Sequence, residues 1–283
     1  MKAFKLIFSG GGTGGHIYPA LAIAKGIKNI KPDTNILFVG AIDKMEMKLV
    51  PKADFKIKGL WISGFQRSLS LQNLLFPFKV FISLLQSLFI LLRFNPDAVI
   101  GTGGFASWPL LQVAQWLDYP TLIQEQNSFP GIANRILGKK ANRVCVAYEK
   151  MEHYFPLYKL RLTGNPIRFN MLSSAITAGA AKSFFGLDPQ KPTLVVIGGS
   201  LGAKRINELV AKELFFFKTH DFQILWQCGE LYFNKYKTLS CPEVVIKSFV
   251  YEMEKLYAAA DIIISRAGAG SLSELSCVGK PLI

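Results

Sequence analysis

The feature that most constrains this chain is one pattern stated twice: a short apolar strand runs into a glycine-rich turn that opens a helix. The first copy is Phe4–Phe8, then Ser9-Gly10-Gly11-Gly12-Thr13-Gly14-Gly15-His16, then a helical segment over Pro19–Ile30. The second is Leu194–Ile197, then Gly198-Gly199-Ser200-Leu201-Gly202, then a helical segment over Ala203–Phe217. Further strand candidates follow each copy: Ile36–Val39, Ala98–Ile100, Thr121–Ile123 and Val144–Ala147, then Gln223–Trp226, Val244–Ile246 and Ile262–Ile264, with a helix over Glu252–Ala260. The runs are continuously apolar rather than alternating, as parallel strands covered on both faces require. The expected fold class is α/β, with two Rossmann-like doubly wound parallel-sheet domains. The boundary falls within Leu162–Arg168, giving domains 1–163 and 164–283. A chain of 283 residues has room for both.

Half of the residues are apolar and 18% are charged, so a large core can be buried and wholesale disorder is excluded. Lys and Arg outnumber Asp and Glu by 33 to 19, a net charge of +14. That favours an anionic partner: nucleic acid, acidic lipid or a phosphorylated substrate. The basic residues are dispersed, with no aromatic-interleaved basic strip, so no nucleic-acid partner is expected. Cys145, Cys228, Cys241 and Cys277 lack metal-site spacing and read as reduced thiols packed as small apolar residues. The apolar run after Met1 is too short for a signal-peptide core, so it reads as a first strand and the chain as cytoplasmic.

The segment Leu71–Arg93 stands apart. Its apolar residues leave a narrow polar stripe of Lys79, Ser83, Gln86 and Arg93. Pro77, Lys79, Ser83, Gln86 and Ser87 interrupt the run, which argues against a membrane span. One face is expected to pack on the sheet. The stripe left for water is narrow for a surface helix, and Lys56, Lys58, Arg67 and Lys79 lie nearby, so part of it is expected to lie in a membrane interface.

In open parallel sheets, ligands bind beyond the C-terminal ends of the strands. Glycines there allow positive φ and close backbone approach, and the following helix turns unpaired N–H groups toward an anion. Phosphate or diphosphate is the natural guest of Gly10–Gly15. The spacing Gly10-x-Gly12-x-x-Gly15 also fits a dinucleotide fingerprint, but the acidic residue expected after the second strand is missing, since Val39-Gly40-Ala41 ends it and Asp43 comes late. No Gly-Lys-Ser/Thr follows, which excludes a P-loop. Two more turns, Gly101-Thr102-Gly103-Gly104 and Gly268-Ala269-Gly270-Ser271, also follow strands. Four such turns over two domains suggest a cleft lined with phosphate-binding backbone.

At these residues the chain resembles the MurG family of glycosyltransferases. The likeness runs through Gly11–His16 with Pro19–Ala22, Met45-Glu46, Leu49-Val50-Pro51, Lys58-Gly59, Ile62-Ser63-Gly64, Pro96-Asp97 and Gly101–Phe105. It continues through Glu125-Gln126-Asn127, Gly164–Arg168, Gly198–Ala203, Ser265–Gly268 and Ser273-Glu274, and so covers nearly the whole chain. The resemblance implies a GT-B fold and an inverting transfer of N-acetylglucosamine from UDP-N-acetylglucosamine to the 4-hydroxyl of the muramoyl sugar of lipid I. The product would be lipid II for peptidoglycan synthesis, and through it for cell shape and division. The acceptor, linked to undecaprenol, would lie on the N-terminal side. The enzyme would work as a peripheral protein at the cytoplasmic face of the membrane, with the Leu71–Arg93 region on the anionic surface.

The resemblance also implies roles. Thr13, Gly14, Gly15 and Ser200 would meet the donor diphosphate, with Arg168 as a cationic fork near it. Asn127 would contact the sugar, the backbone at Val250 would read uracil, and Glu274 would hold the ribose. Ala269, Gly270, Ser271, Leu272 and Ser273 would line the diphosphate pocket at a helix start. His16 is the first candidate base, since a neutral imidazole is available near pH 7, and Glu125 is the second. A lone histidine is more often structural; its place inside this turn favours chemistry. No Asp-x-Asp occurs, in keeping with a transferase that uses no metal and no cofactor.

Two departures stand out. Gln124 replaces the histidine common in the family before Glu-Gln-Asn, and the chain stops at Ile283, before the family's Gln-x-x-Asn donor loop and terminal helices. The C-terminal domain is therefore expected to be truncated. The competing readings are a truncated, non-catalytic, membrane-associated nucleotide-sugar-binding protein of the same fold, and an NAD-type oxidoreductase.

Overall fold

The computed structural model describes residues 3–64, 75–167, 176–199 and 201–283. Arg67, Leu71–Leu74, Arg168 and Ser200 lie outside the described residues. The chain divides into two compact units, Met1–Ile167 and Arg168–Ile283.

The first unit is a seven-stranded sheet with helices on both faces. Its strands are β1 (Lys5–Gly10), β2 (Asn35–Ala41), β3 (Lys56–Leu60), β4 (Ala98–Gly103), β5 (Thr121–Glu125), β6 (Arg143–Val146) and β7 (Leu160–Leu162). The order is β3-β2-β1-β4-β5-β6-β7, and every pairing is parallel. Strand order reverses between β1 and β4, so the crevice beyond their C-terminal ends is the switch point where such sheets take ligands. The helices are α1 (Gly14–Ile30), α2 (Glu46–Lys52), α3 (Phe76–Phe94), α4 (Trp108–Trp116) and α5 (Ile132–Gly138). Alternate residues of one strand feed opposite cores. Ile7 packs with Leu91, Val99, Leu111 and Ile123, whereas Phe8 packs with Ile17, Ala20, Phe38 and Val50. The Phe8 and Phe38 rings stack at 5.3 Å between centroids.

The second unit repeats the plan. Its strands are β8 (Thr193–Ile197), β9 (Gln223–Gln227), β10 (Val244–Lys247) and β11 (Ile262–Ser265), in the parallel order β10-β9-β8-β11. Its switch point lies between β8 and β11. The helices are α6 (Ala178–Phe184), α7 (Lys204–Lys212), α8 (Leu214–Thr219), α9 (Glu230–Tyr236), α10 (Met253–Ala259) and α11 (Ala269–Val278). Val195, Leu225 and Ile263 face one core while Leu194, Ile224 and Trp226 face the other. Both sheets are thus doubly wound, as the continuous apolar runs required.

The structure differs from the sequence reading at several edges. Helix α1 begins at Gly14, five residues before Pro19, because the glycine turn itself winds into the helix and Pro19 sits inside it. The segment Ala203–Phe217 is two helices, broken at Glu213. Strands β3 and β7 are the outer strands of their sheet, and β3 carries Lys56 and Lys58 on its exposed positions, so neither has a buried apolar run to betray it. Of the four cysteines only Cys228 is buried, where desolvation pushes its thiol up from the usual range. Cys277 is exposed.

Helix α3 inverts the expected stripe. Ser83 and Ser87 are fully buried and turn inward, their hydroxyls donating to the carbonyls of Val80 and Ser83 at 2.7 Å each. Small side chains let the helix sit close to the sheet. The outer face carries Phe78, Phe81, Leu85, Phe89 and Leu92, all exposed at helical spacing. Gln86 accepts from the Trp61 N–H at 2.8 Å, and Lys79 donates to the Ser63 hydroxyl at 3.2 Å. By length and composition this 19-residue helix could cross a membrane. Its place in the connection between two strands of one parallel sheet, with Ile90 and Leu91 in the core, makes it a crossover helix instead.

Candidate functional site

At the switch point of the first unit the two glycine turns interlock. Ser9 and Gly10 at the end of β1 pair with Gly101 and Gly103 of β4, and the register shifts between them. The Gly11 N–H donates to the Gly103 carbonyl at 3.4 Å. Gly103 and Gly104 hold φ of +98° and +83°, and a Cβ on Gly104 would run into the Gly11 carbonyl. Two backbones at this separation admit only glycine.

The carboxylate of Glu46, at the start of α2, closes the turn from the other side. Fully buried, it accepts from the Gly12 N–H at 3.1 Å and from the Ala41 N–H at 3.0 Å. The sequence reading quoted Glu46 without giving it a role. The Gly12 N–H is therefore already taken by a side chain of the protein itself. What the turn offers an anion lies beyond it, at Thr13, Gly14 and Gly15, where α1 begins without a side-chain cap.

His16 sits in the first turn of α1, half-buried. The hydroxyl of Thr102, whose side chain is buried, donates to the His16 carbonyl at 2.7 Å. Its ring Nδ1 lies 3.0 Å from the Thr102 carbonyl and 3.2 Å from Oε1 of Gln126. Both neighbours are acceptors, so Nδ1 carries a proton, and in the neutral ring Nε2 holds the lone pair. That is the form a general base requires.

Glu125, the other candidate, is spent on its own loop. One oxygen accepts from the backbone N–H and the side-chain amide of Asn127 at 3.0 Å each; the other accepts from the Gly131 N–H at 3.1 Å and the Asn134 amide at 2.8 Å. A buried carboxylate with four donors is committed to holding its loop. Its effect is to fix Asn127 through both its backbone N–H and its side-chain amide. Gln124 is buried too, donating to Asn165 Oδ1 at 3.5 Å.

In the second unit, the turn after β8 folds tightly, with Gly199 and Gly202 at φ of +81° and +80° and the Gly202 N–H donating to the Gly199 carbonyl at 3.1 Å. Ser200, the residue singled out in this turn, and Arg168 lie outside the described residues. Buried Gln227 ties the turn to the strand end beyond it: its amide donates to the Gly199 carbonyl at 3.2 Å and its oxygen accepts the Val250 N–H at 2.9 Å. The Val250 N–H is thus engaged, and what that residue can offer a base is its carbonyl. Gln227 carries no motif that would have announced it.

Ala269, Gly270 and Ser271 form the first turn of α11, directly after β11, beside the switch point, and Gly268 provides no side-chain cap. Their N–H groups are placed as an anion site requires. Leu272 continues the helix, with its N–H donating to the Gly268 carbonyl at 2.8 Å. The Ser273 hydroxyl turns back to the Ala269 carbonyl at 3.0 Å. Glu274, one turn on, is half-buried and accepts from the Tyr257 hydroxyl at 3.4 Å. Thr13–His16 thus lie at the switch point of the first unit and Ala269–Glu274 beside that of the second, whereas Glu125 ends β5, Asn127 follows it and Val250 follows β10.

Comparison with known proteins gives the same division. Residues 6–146 match the model of the glycosyltransferase family 28 N-terminal domain, and residues 193–283 match that of the family 28 C-terminal domain. A protein of Flavobacterium psychrophilum, named UDP-N-acetylglucosamine--N-acetylmuramyl-(pentapeptide) pyrophosphoryl-undecaprenol N-acetylglucosamine transferase, is 56% identical over all of this chain and 77% of its own length. A protein of the same name from Christiangramia forsetii is 54% identical over the same shares. Among solved structures, the crystal structure of Acinetobacter baumannii MurG superposes with a TM-score of 0.64 at 28% identity, covering 96% of this chain and 74% of that one. The calicheamicin glycosyltransferase CalG4, at 15% identity and a TM-score of 0.67, shares the fold.

Proposed function

The chain belongs to glycosyltransferase family 28, and from that premise we propose that it moves N-acetylglucosamine from UDP-N-acetylglucosamine to lipid I, forming lipid II for peptidoglycan synthesis. The observation that carries the chemistry is the His16 ring, held with Nε2 as its basic nitrogen at the switch point of the first unit. In the proposed reaction Nε2 takes the proton of the muramoyl 4-hydroxyl as that oxygen attacks the anomeric carbon. The bond to the UDP oxygen breaks, UDP leaves with the electron pair, and configuration inverts. A positioned base contributes about 10²–10⁴-fold in rate. Asn127, held by Glu125, contacts the sugar.

The donor falls to the second unit. The N–H groups of Ala269, Gly270 and Ser271 receive the diphosphate, with Ser200 and Arg168 as the further candidates of this unit. Leu272 and Ser273 complete the wall, Glu274 takes the ribose hydroxyls, and the Val250 carbonyl meets uracil. No step needs a metal or a cofactor, because backbone dipoles and a guanidinium neutralise the leaving group.

The acceptor's polyprenyl chain keeps it in a bilayer, so the enzyme works at the cytoplasmic membrane surface as a peripheral protein. The outer face of α3, with the exposed Lys56 and Lys58 on β3 nearby, is the proposed contact with anionic lipid. Nucleic acid is not a partner in this reading.

The test is turnover. Purified chain is incubated with labelled UDP-N-acetylglucosamine and a lipid I analogue, beside His16→Ala. Disaccharide from the parent and a loss of about 10²-fold or more in the variant is the expected result. UDP binding without any product would turn the reading toward a nucleotide-sugar-binding protein, and full activity in His16→Ala would remove His16 as the base.

A further inference from the structure

Gln126 lies between two residues to which roles are given above, and is itself 2% exposed. Its side-chain nitrogen donates to the Thr102 carbonyl at 2.8 Å, to the Gln124 carbonyl at 3.1 Å and to the Gln124 side-chain oxygen. Three acceptors around one end of an amide fix which end is nitrogen. Oε1 must then point the other way, where it meets Nδ1 of His16 at 3.2 Å. The Thr102 carbonyl, 3.0 Å from the same ring nitrogen, forms the second arm of a fork. Gly103 makes room for it: a Cβ there would lie 3.0 Å from His16 Nδ1 and 3.1 Å from the Asn134 amide nitrogen.

We propose that Gln126 is a positioning residue for His16. Its amide, locked by Thr102 and Gln124, holds the imidazole as the Nδ1–H tautomer at one ring rotation and keeps the Nε2 lone pair aimed out of the network. A ring nitrogen's protonation is set by the hydrogen bond its partner nitrogen makes. Gln124 supplies the outermost support, so the residue that departs from the family's histidine still serves the same ring from two positions away. The inference rests on His16 being the base, and its test separates the two claims.

His153 and His220 are exposed, so the double variant H153Q/H220Q leaves His16 as the one histidine of three. Nitrogen-15 labelling of histidine in that chain then reads the tautomer directly, without turnover. The expected spectrum is the Nδ1–H form alone. In Gln126→Leu the Nε2–H form appears, and kcat falls about tenfold to hundredfold while KM for UDP-N-acetylglucosamine stays within about twofold. In the isosteric Gln126→Glu the new oxygen faces three carbonyl oxygens, so this variant fares no better than Leu. An Nε2–H spectrum in the parent overturns the proposal even if Gln126→Leu cannot be folded. So does a folded Gln126→Leu with the parent's spectrum and kcat. A parent spectrum as expected, together with full turnover in His16→Ala, would instead leave the tautomer assigned and remove the base.

Discussion

Replacing Phe81 and Phe89 of α3 with serine should cost little stability and most of the membrane affinity. The two side chains lie on the outer face, 58% and 61% exposed, while the helix is anchored by Ile90, Leu91 and the buried Ser83 and Ser87. Fully burying a phenylalanine is worth about 1.5–3 kcal/mol. Since somewhat more than half of each side chain remains to be covered, immersion in the lipid interface contributes about 1–2 kcal/mol for each. The pair together is worth about 2–4 kcal/mol, or roughly 30- to 1000-fold in partition at about 1.4 kcal/mol per tenfold. The assay is co-sedimentation with vesicles of phosphatidylglycerol and phosphatidylcholine over a lipid titration, with turnover on a short-chain, water-soluble acceptor measured in parallel. Affinity should fall by that factor while turnover on the soluble acceptor holds. Equal binding by parent and variant, or no binding by the parent, would refute the assignment of this face.

Further expectations follow from single sites. Gly104→Ala places a Cβ against the Gly11 carbonyl at a φ of +83°, so unfolding free energy should drop by about 2–4 kcal/mol in urea titration, with turnover lost alongside. Asp261 carries a pH effect. Burial pushes its carboxyl up, but the Lys182 ammonium and the Thr193 N–H, each at 2.8 Å, and the charges of Lys182 and Lys280 outweigh it and leave it below the usual carboxylate range. A carboxyl depressed in the folded state stabilises above its unfolded value, about 3.9, and loses that contribution as pH falls toward the folded value. Melting temperature should therefore drop between about pH 5 and pH 3, and the drop should be smaller in Asp261→Asn, which starts lower at pH 7. An unchanged acid slope in that variant would assign the effect elsewhere.

The strand–turn–helix repeats were legible because parallel strands buried on both faces leave unbroken apolar runs, as in Leu194–Ile197. The edge strand Lys56–Leu60 was not, since two of its five positions are exposed lysines. On α3 composition pointed correctly to an unusual helix and incorrectly to which stripe faced out. Ser83 read as part of the polar stripe, yet its hydroxyl and that of Ser87 are satisfied within the helix itself, which removes the cost of burying them. At the site, glycine spacing located the turns. The partners that hold His16 and Glu125 come from positions 102, 126, 127, 131 and 134, which no local motif joins. Glu46 escaped for a related reason: the N–H groups it braces, those of Gly12 and Ala41, come from two separate strand ends and form no local motif with it.

That carboxylate has a bearing on what this scaffold could become. Glycine loops of this spacing on a strand-turn-helix recur at many cofactor sites. Here the barrier is internal. With Glu46 resident behind Gly12, the loop is braced by the protein itself. A lineage moving toward a dinucleotide cofactor would have to evict its own buried acid first, losing the brace before gaining the ligand that replaces it.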